Sequence, residues 1–169
     1  MRRNAEEFER VALVHTPVLL RFAVRLTRDR FSAEDLVQET LLLAWRGFRQ
    51  FAEGTNARAW LFRILMNCIR GQHRKTRAAA PVVVLTPDMR ATSGSIDDSV
   101  EVLQALDRLG ADHREALLLA VVEGFTCREM SEILSVPMGT VMSRLSRARE
   151  AMREALAPRG GRCGERVAR

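Results

Sequence analysis

The chain has no tyrosine, and aromatic residues are only 5% of its 169 positions. Stacking platforms for bases are therefore scarce, so any opening of a duplex must lean on capturing a base more than on an aromatic wedge. Cysteine is sparse as well. Cys68, Cys127 and Cys163 are far apart and odd in number, which argues against a disulfide framework and suits reduced thiols. His15, His73 and His113 form no HxxxH pair, and no two cysteines have metal-ligand spacing, so we expect no metal and no other cofactor. No apolar run approaches the roughly 18 residues that span a bilayer. The opening MRRNAEEFER is charged where a signal peptide would be apolar. The expectation is a soluble, cytoplasmic chain with no membrane span. No nucleophile, metal cluster or glycine-rich loop stands beside its carboxylates, so we do not expect an enzyme.

What the chain does have is apolar residues at 47%, enough for globular packing, and a net charge of +6. Such a surplus favours a polyanionic partner, with nucleic acid ahead of membrane. The charge is also segregated. Five basic residues and no acid lie between Arg63 and Arg77, and eight arginines against three acids lie between Gly139 and Arg169. Between Asp88 and Glu123 the balance reverses to eight acids and three arginines.

The most informative stretch is GFTCREMSEILSVPMGTVMSRLSRAREAMREAL, from Gly124 to Leu156. Gly124 can take the left-handed conformation that ends a helix, and Thr126 with Glu129 has the reciprocal pattern that caps the next one. A short helix over Cys127 to Leu134 is followed by a turn at Ser135, Val136 and Pro137, where proline suits helix entry. On the second helix Val141, Leu145, Ala148, Met152 and Leu156 recur at steps of four, three, four and four, which makes one inward stripe. Ser143, Ser146, Arg147 and Glu150 fall opposite it. Arg144 lies close to the stripe, which suits a structural role. A solvated amphipathic helix would carry the same outer face.

This helix-turn-helix resembles the promoter-reading end of the bacterial sigma-70 family, and most of all its extracytoplasmic-function group. The resemblance implies that Thr140, Met142, Ser143, Ser146 and Arg147 read the distal (-35) promoter element, with Arg149 on phosphate. Ser131 and Ser135 stand where the family usually has alanine and glycine, and Met142 where it usually has a basic residue.

In the first half, Phe8, Val11, Ala12 and His15 share a helical face behind an Asn4 and Glu7 cap, and Pro17 either kinks that helix or starts a new one. Asp29 and Arg30 close the segment. Ser32 with Asp35 is then expected to cap SAEDLVQETLLLAWRGF, with Leu36, Thr40, Leu43 and Phe48 facing inward. AEDLVQETLLLAW is similar to the family segment that grips the clamp helices of the largest subunit of core RNA polymerase. The resemblance assigns that contact to Asp35, Leu36, Gln38 and Glu39. Residue chemistry alone allows it, because carboxylates beside an amide can pair with arginines across a helix interface, but any polar outer face would carry such groups.

After a loop with Gly54 as its flexible point, Thr55 or Asn56 is expected to cap a helix from Ala57 to Thr76. Trp60, Ile64 and Ile69 should pack, Trp60 as a buried anchor or as a stacking surface, while Arg58, Arg63, Arg70, Arg74 and Lys75 form a basic flank. GTNARAWLFRILMN resembles the family element that reads the start-proximal (-10) hexamer on the non-template strand. By that resemblance Thr55, Asn56, Arg58, Arg63, Asn67, Arg70 and Arg74 contact DNA, and Asn67, taken to sit in the corner between loop and helix, holds a base turned out of the stack. Turning a base out costs a few kcal/mol, and an amide can read its edge while arginines hold the backbone.

Helical period then disappears in a stretch rich in proline and small polar residues, as in a linker; PVVVLTP as a lone strand would have no partner. A second block follows, with Val100, Leu103, Leu106 and Leu109 as a stripe and Asp112 with Glu115 capping a helix that buries Ala116, Leu117, Leu119 and Val122. The expected fold is all-α: two small helical domains joined by a flexible linker, the C-terminal one a four-helix domain with a helix-turn-helix. We place a region 2-like domain at 1–77, a linker at 78–98, a region 4-like domain at 99–157 and a disordered basic tail at 158–169. Two loosely tethered units would touch DNA at separate points, and linkage raises the effective concentration of each for its site. The implied function is a sigma factor that binds core RNA polymerase and directs promoter-specific initiation of a stress or envelope regulon, restrained by an anti-sigma factor. The alternative is a helix-turn-helix operator-binding regulator that does not bind core.

Overall fold

A computed structural model describes residues 2–52, 54–78 and 96–157. The bulk of the expected linker and the expected tail lie outside the described residues, and so does the side chain of Lys75. All regular elements among the described residues are helical, and no helix among them is long and apolar enough to cross a membrane.

The first unit holds α1 (Arg2–Val11), α2 (Thr16–Thr27), α3 (Arg30–Gly47) and α4 (Ala57–Ala78). Helix α1 already runs from Arg2, so Asn4 lies inside it and is no cap. Between α1 and α2 the chain makes a 3-10 turn at Leu13–His15, and Pro17 sits in the first turn of α2. There its missing N–H leaves no helical bond unmade. Arg28 ends α2 in the left-handed region, and Asp29 caps α3 by accepting from the Ser32 N–H at 2.8 Å. The cap is therefore Asp29, three residues upstream of Ser32, and α3 starts earlier than the Ser32 pattern suggests. Leu36, Thr40 and Phe48 point inward as expected, but Leu43 is 40% exposed. Asn56 caps α4 by accepting from the Ala59 N–H at 3.1 Å.

The second unit holds α5 (Ile96–Arg108), α6 (Ala111–Leu117), α7 (Cys127–Leu134) and α8 (Met138–Leu156). The expected stripe of α5 is only half right, since Val100 and Leu103 are 45% and 43% exposed. Ala105 and Leu106 near the end of α5, and Leu109 just beyond it, do pack inward. Helix α6 continues as a π turn at Leu118–Val122, in which the Glu123 N–H reaches back to the Leu118 carbonyl at 3.2 Å. That extra residue per turn rotates Val122 outward, so it is exposed where the helical period would bury it. The Thr126 and Glu129 capping box is formed in full. Ser135 adopts φ 53 to close α7, and Pro137 is the N-cap of α8, one position before the first helical turn. Val141, Leu145 and Ala148 are buried, Met152 half-buried and Leu156 exposed at the free end of the helix.

The two units are not held apart. Helix α4 packs directly against α7, and one continuous apolar core runs from Leu19 and Phe22 through Leu65 and Met66 to Met130 and Ile133. The two helical units are therefore in contact, an arrangement that the sequence leaves open. The reason lies in apolar residues that neither unit could cover alone. Phe62 of α4 and Phe125 before α7 meet edge to face with ring centres 5.0 Å apart, a favoured aromatic geometry.

Candidate nucleic-acid interface

Helices α3 and α4 pack side by side and leave a groove of about 760 Å³ between them, lined by Asp35, Glu39, Gln50, Trp60, Asn67 and Gly71 among others. Asp35, Gln38 and Glu39 are exposed one turn apart on α3, whereas Leu36 is 2% exposed and forms groove floor. Leu36 thus packs inward, where the expected partner contact would need it exposed, while its polar neighbours face outward. Asn67 is exposed on the same groove, but it sits three turns into α4 and not at the loop corner. Carboxylates and amide from the two elements thus share one concave surface. Trp60 is half-buried and tilted against Phe51 at 4.9 Å, part of an aromatic cluster with Phe48 and Phe8.

Along α4, Arg63, Asn67, Arg70 and Arg74 follow at steps of four, three and four, which places them on one stripe. Arg63, Asn67 and Arg74 are exposed, as is Thr55 in the preceding loop. Arg70 is drawn off this stripe. One arm of its guanidinium donates to the Leu134 carbonyl at 2.7 Å and the other to Glu115 Oε2 at 3.1 Å. Arg58 behaves alike: it donates to the Glu123 carbonyl at 2.8 Å and to Glu123 Oε2 at 2.5 Å. Asn56 Nδ2 reaches Glu129 Oε1 at 2.7 Å. Three of the seven expected contacts to the start-proximal element therefore face the second unit. Glu115 is no helix cap: the N-cap of α6 is Gly110, with no side-chain cap bond, and Glu115 is only 6% exposed. Burial pushes its carboxyl up, against the pull of Arg70. Glu129 is held below the usual carboxylate range by hydrogen bonds from Thr126 and then from Asn56.

On α8 the outward groups are free of the core. Met142, Ser143, Ser146, Arg147 and Arg149 are all exposed, and Thr140 is half-buried in the first turn. Ser146, Arg149, Met142 and Arg153 line a shallow groove of about 460 Å³ beside Cys127. Arg144 turns back instead, donating to Asp112 Oδ2 at 2.6 Å, so it ties α8 to α6. The turn before α8 has its own fastening: Ser131 Oγ donates to the Val136 carbonyl at 2.6 Å. A helix with exposed serines and arginines, set by a rigid capped turn, is suited to a major groove.

Residues 13–79 match the sigma-70 region 2 family model, and residues 99–152 match the sigma-70 region 4 model. The ECF RNA polymerase sigma factor EcfG of Rhodopseudomonas palustris is 36% identical over 148 residues, covering 83% of this chain and 80% of the relative. The chain belongs to the sigma-70 family, in its extracytoplasmic-function group. The sigma factor SigL of Mycobacterium tuberculosis is likewise 36% identical over 147 residues, with 82% of each chain covered. Among solved structures, the sigma factor RpoE of Bartonella quintana, in complex with the anti-sigma factor NepR, is similar at a TM-score of 0.72 and 34% identity. That likeness covers 89% of this chain and 97% of RpoE. Directing promoter-specific initiation is the function the family gives this sigma factor, and a stand-alone operator-binding regulator would not carry the region 2 half.

Sequence reasoning missed Glu115, Glu123 and Phe125 as partners of α4. Each reads locally as a surface acid or a core aromatic, and no local pattern pairs positions 65 residues apart.

Proposed function

We propose that this sigma factor works in the cytoplasm and divides its labour between three surfaces. Asp35, Gln38 and Glu39 on α3 meet core RNA polymerase, with carboxylates and amide facing basic groups on a partner helix. Thr55, Asn56, Arg58, Arg63, Asn67, Arg70 and Arg74 serve the start-proximal (-10) element, with Asn67 taking the edge of an unstacked base and the arginines the backbone. Thr140, Met142, Ser143, Ser146 and Arg147 enter the major groove of the distal (-35) element, and Arg149 takes phosphate. The observation that carries this reading is the exposed groove between α3 and α4, in which Asp35 and Glu39 share walls with Asn67. One partner docked on α3 would bring single-stranded DNA to α4 beside it.

By likeness to RpoE, which was solved with an anti-sigma factor, an anti-sigma factor restrains this chain too. The domain division at 1–77, 78–98 and 99–157 is part of the same proposal; α4 runs to Ala78 and α5 starts at Ile96, each inside the expected linker bounds. Gel filtration with core polymerase tests the central assignment. The wild type should co-elute and drive run-off transcription, and Asp35→Arg with Gln38→Ala should abolish both. Unchanged transcription from the double variant would refute the α3 contact.

A further inference from the structure

We propose that Met142 reads the 5-methyl group of a thymine in the distal element, so that part of the distal preference is set by apolar contact and not by charge. This rests on the assignment of α8 to that element and names what its first turns recognise.

The first turns of α8 carry no charge. From Met138 to Ser143 every residue is uncharged, and Arg144, the first cation of the helix, is tied to Asp112 Oδ2 at 2.6 Å. The first exposed cation is Arg147. A recognition helix contacts base edges in the major groove with its N-terminal residues, so the end that goes deepest here has only hydroxyls and apolar groups to offer. Thr140 and Ser143 supply the hydroxyls. The apolar groups are Met138 and Met142, 49% and 47% exposed.

A single exposed methionine is ordinary on a protein surface; its neighbours give this one a role. Met138, Met142, Ser146, Arg149 and Arg153 follow at steps of four, four, three and four and are all exposed, which makes one continuous stripe. The stripe is apolar where the helix starts, hydroxylic in the middle and cationic at its far end. That order suits a major groove, with base edges on its floor and phosphates along its rim. Met142, Ser146, Arg149 and Arg153 also line the shallow groove beside Cys127, with Glu150 the one acid among its described lining residues.

The thioether limits what Met142 can meet. It has no donor and only a weak acceptor, so it holds neither a phosphate nor the hydrogen-bonding edge of a base. In the major groove the apolar group on a base edge is the thymine methyl. A long unbranched side chain can settle over that methyl without a fixed geometry. A neutral residue at this place also releases no counterion, so its contact resists salt.

The test uses the holoenzyme formed by the full chain with core polymerase, and duplexes bearing the distal element recovered by run-off transcription. Each thymine of either strand is replaced in turn by deoxyuridine, which lacks only the 5-methyl group, and affinity is read by fluorescence anisotropy. At one thymine the replacement should weaken the wild type by about fourfold, the worth of one buried methyl group. Met142→Ala should bind the all-thymine duplex more weakly and be indifferent to that replacement, and Met142→Leu should restore the sensitivity. Met142→Lys should also ignore the missing methyl, while its log–log dependence on salt steepens by about one. A distal element with no thymine on either strand, a wild type that no deoxyuridine weakens, or a Met142→Ala variant that keeps the full deoxyuridine effect overturns the inference. Arg147→Ala separates this from the wider assignment. If that variant relaxes distal preference while the thymine results fail, the methyl contact alone falls; if it leaves distal preference unchanged, the assignment of α8 falls and the inference with it.

Discussion

Arg58 grips Glu123 by both its carbonyl and its carboxylate, at 2.8 and 2.5 Å, across 65 residues of sequence. Because Glu123 is buried and Arg58 partly so, removing either partner leaves a charge without its match. Arg58→Ala or Glu123→Ala should each lower stability by about 1–3 kcal/mol. In urea denaturation the double variant should cost less than the sum of the singles, with a coupling of roughly 0.5–3 kcal/mol. Strict additivity would mean that the pair contributes nothing.

The departures from the family at Ser131 and Ser135 compensate one another. Ser135 holds φ 53, a conformation costing an ordinary residue about 1–2 kcal/mol relative to glycine, while Ser131 Oγ ties the same turn to the Val136 carbonyl. Ser135→Gly should therefore raise stability by roughly 0.5–1 kcal/mol once the freer unfolded chain is counted. Ser131→Ala, which restores the family's usual residue, should lower it by about 1 kcal/mol. Both are read from chemical denaturation midpoints.

How far these features are legible from sequence depends on their range. The Thr126 and Glu129 capping box forms as its spacing predicts, because four consecutive residues contain both donors and both acceptors. The same rule misleads at Asp112 and Glu115, where the second acid is buried against Arg70 from another unit. Val100 and Leu103 follow helical period, yet both are exposed. Nothing in LLAVV announces a π turn. The groups exposed on α8 were accessible to reasoning by period; those on α4 that face the second unit were not, because their partners are 45 to 73 residues away.

The N-cap of α7 should be a measurable support of the helix-turn-helix. Thr126→Ala removes the acceptor for the Glu129 N–H and a donor to its carboxylate, and the expected loss is about 0.5–2 kcal/mol. Retained stability would show that tertiary packing, not the cap, fixes the start of this helix.

His15 gives a pH signature. Burial first, and the nearby Arg58 second, hold its imidazole below the ordinary value of 6.5. The folded chain then binds fewer protons there than the unfolded chain, so this contribution to stability is present above pH 6.5 and lost as pH falls through that value toward the folded pKa. Between pH 7.5 and 5.5 the wild type should lose more thermal stability than His15→Asn. Equal losses would remove His15 from the account.

The central claim is that two separate surfaces of one chain read two separate elements. Run-off transcription with purified core and a promoter library tests it most directly, comparing wild type with Asn67→Ala and Arg147→Ala. We expect Asn67→Ala to relax preference at the start-proximal element alone, and Arg147→Ala to relax it at the distal element alone. Preferences that shift at both elements in either variant, or at neither, would contradict the account.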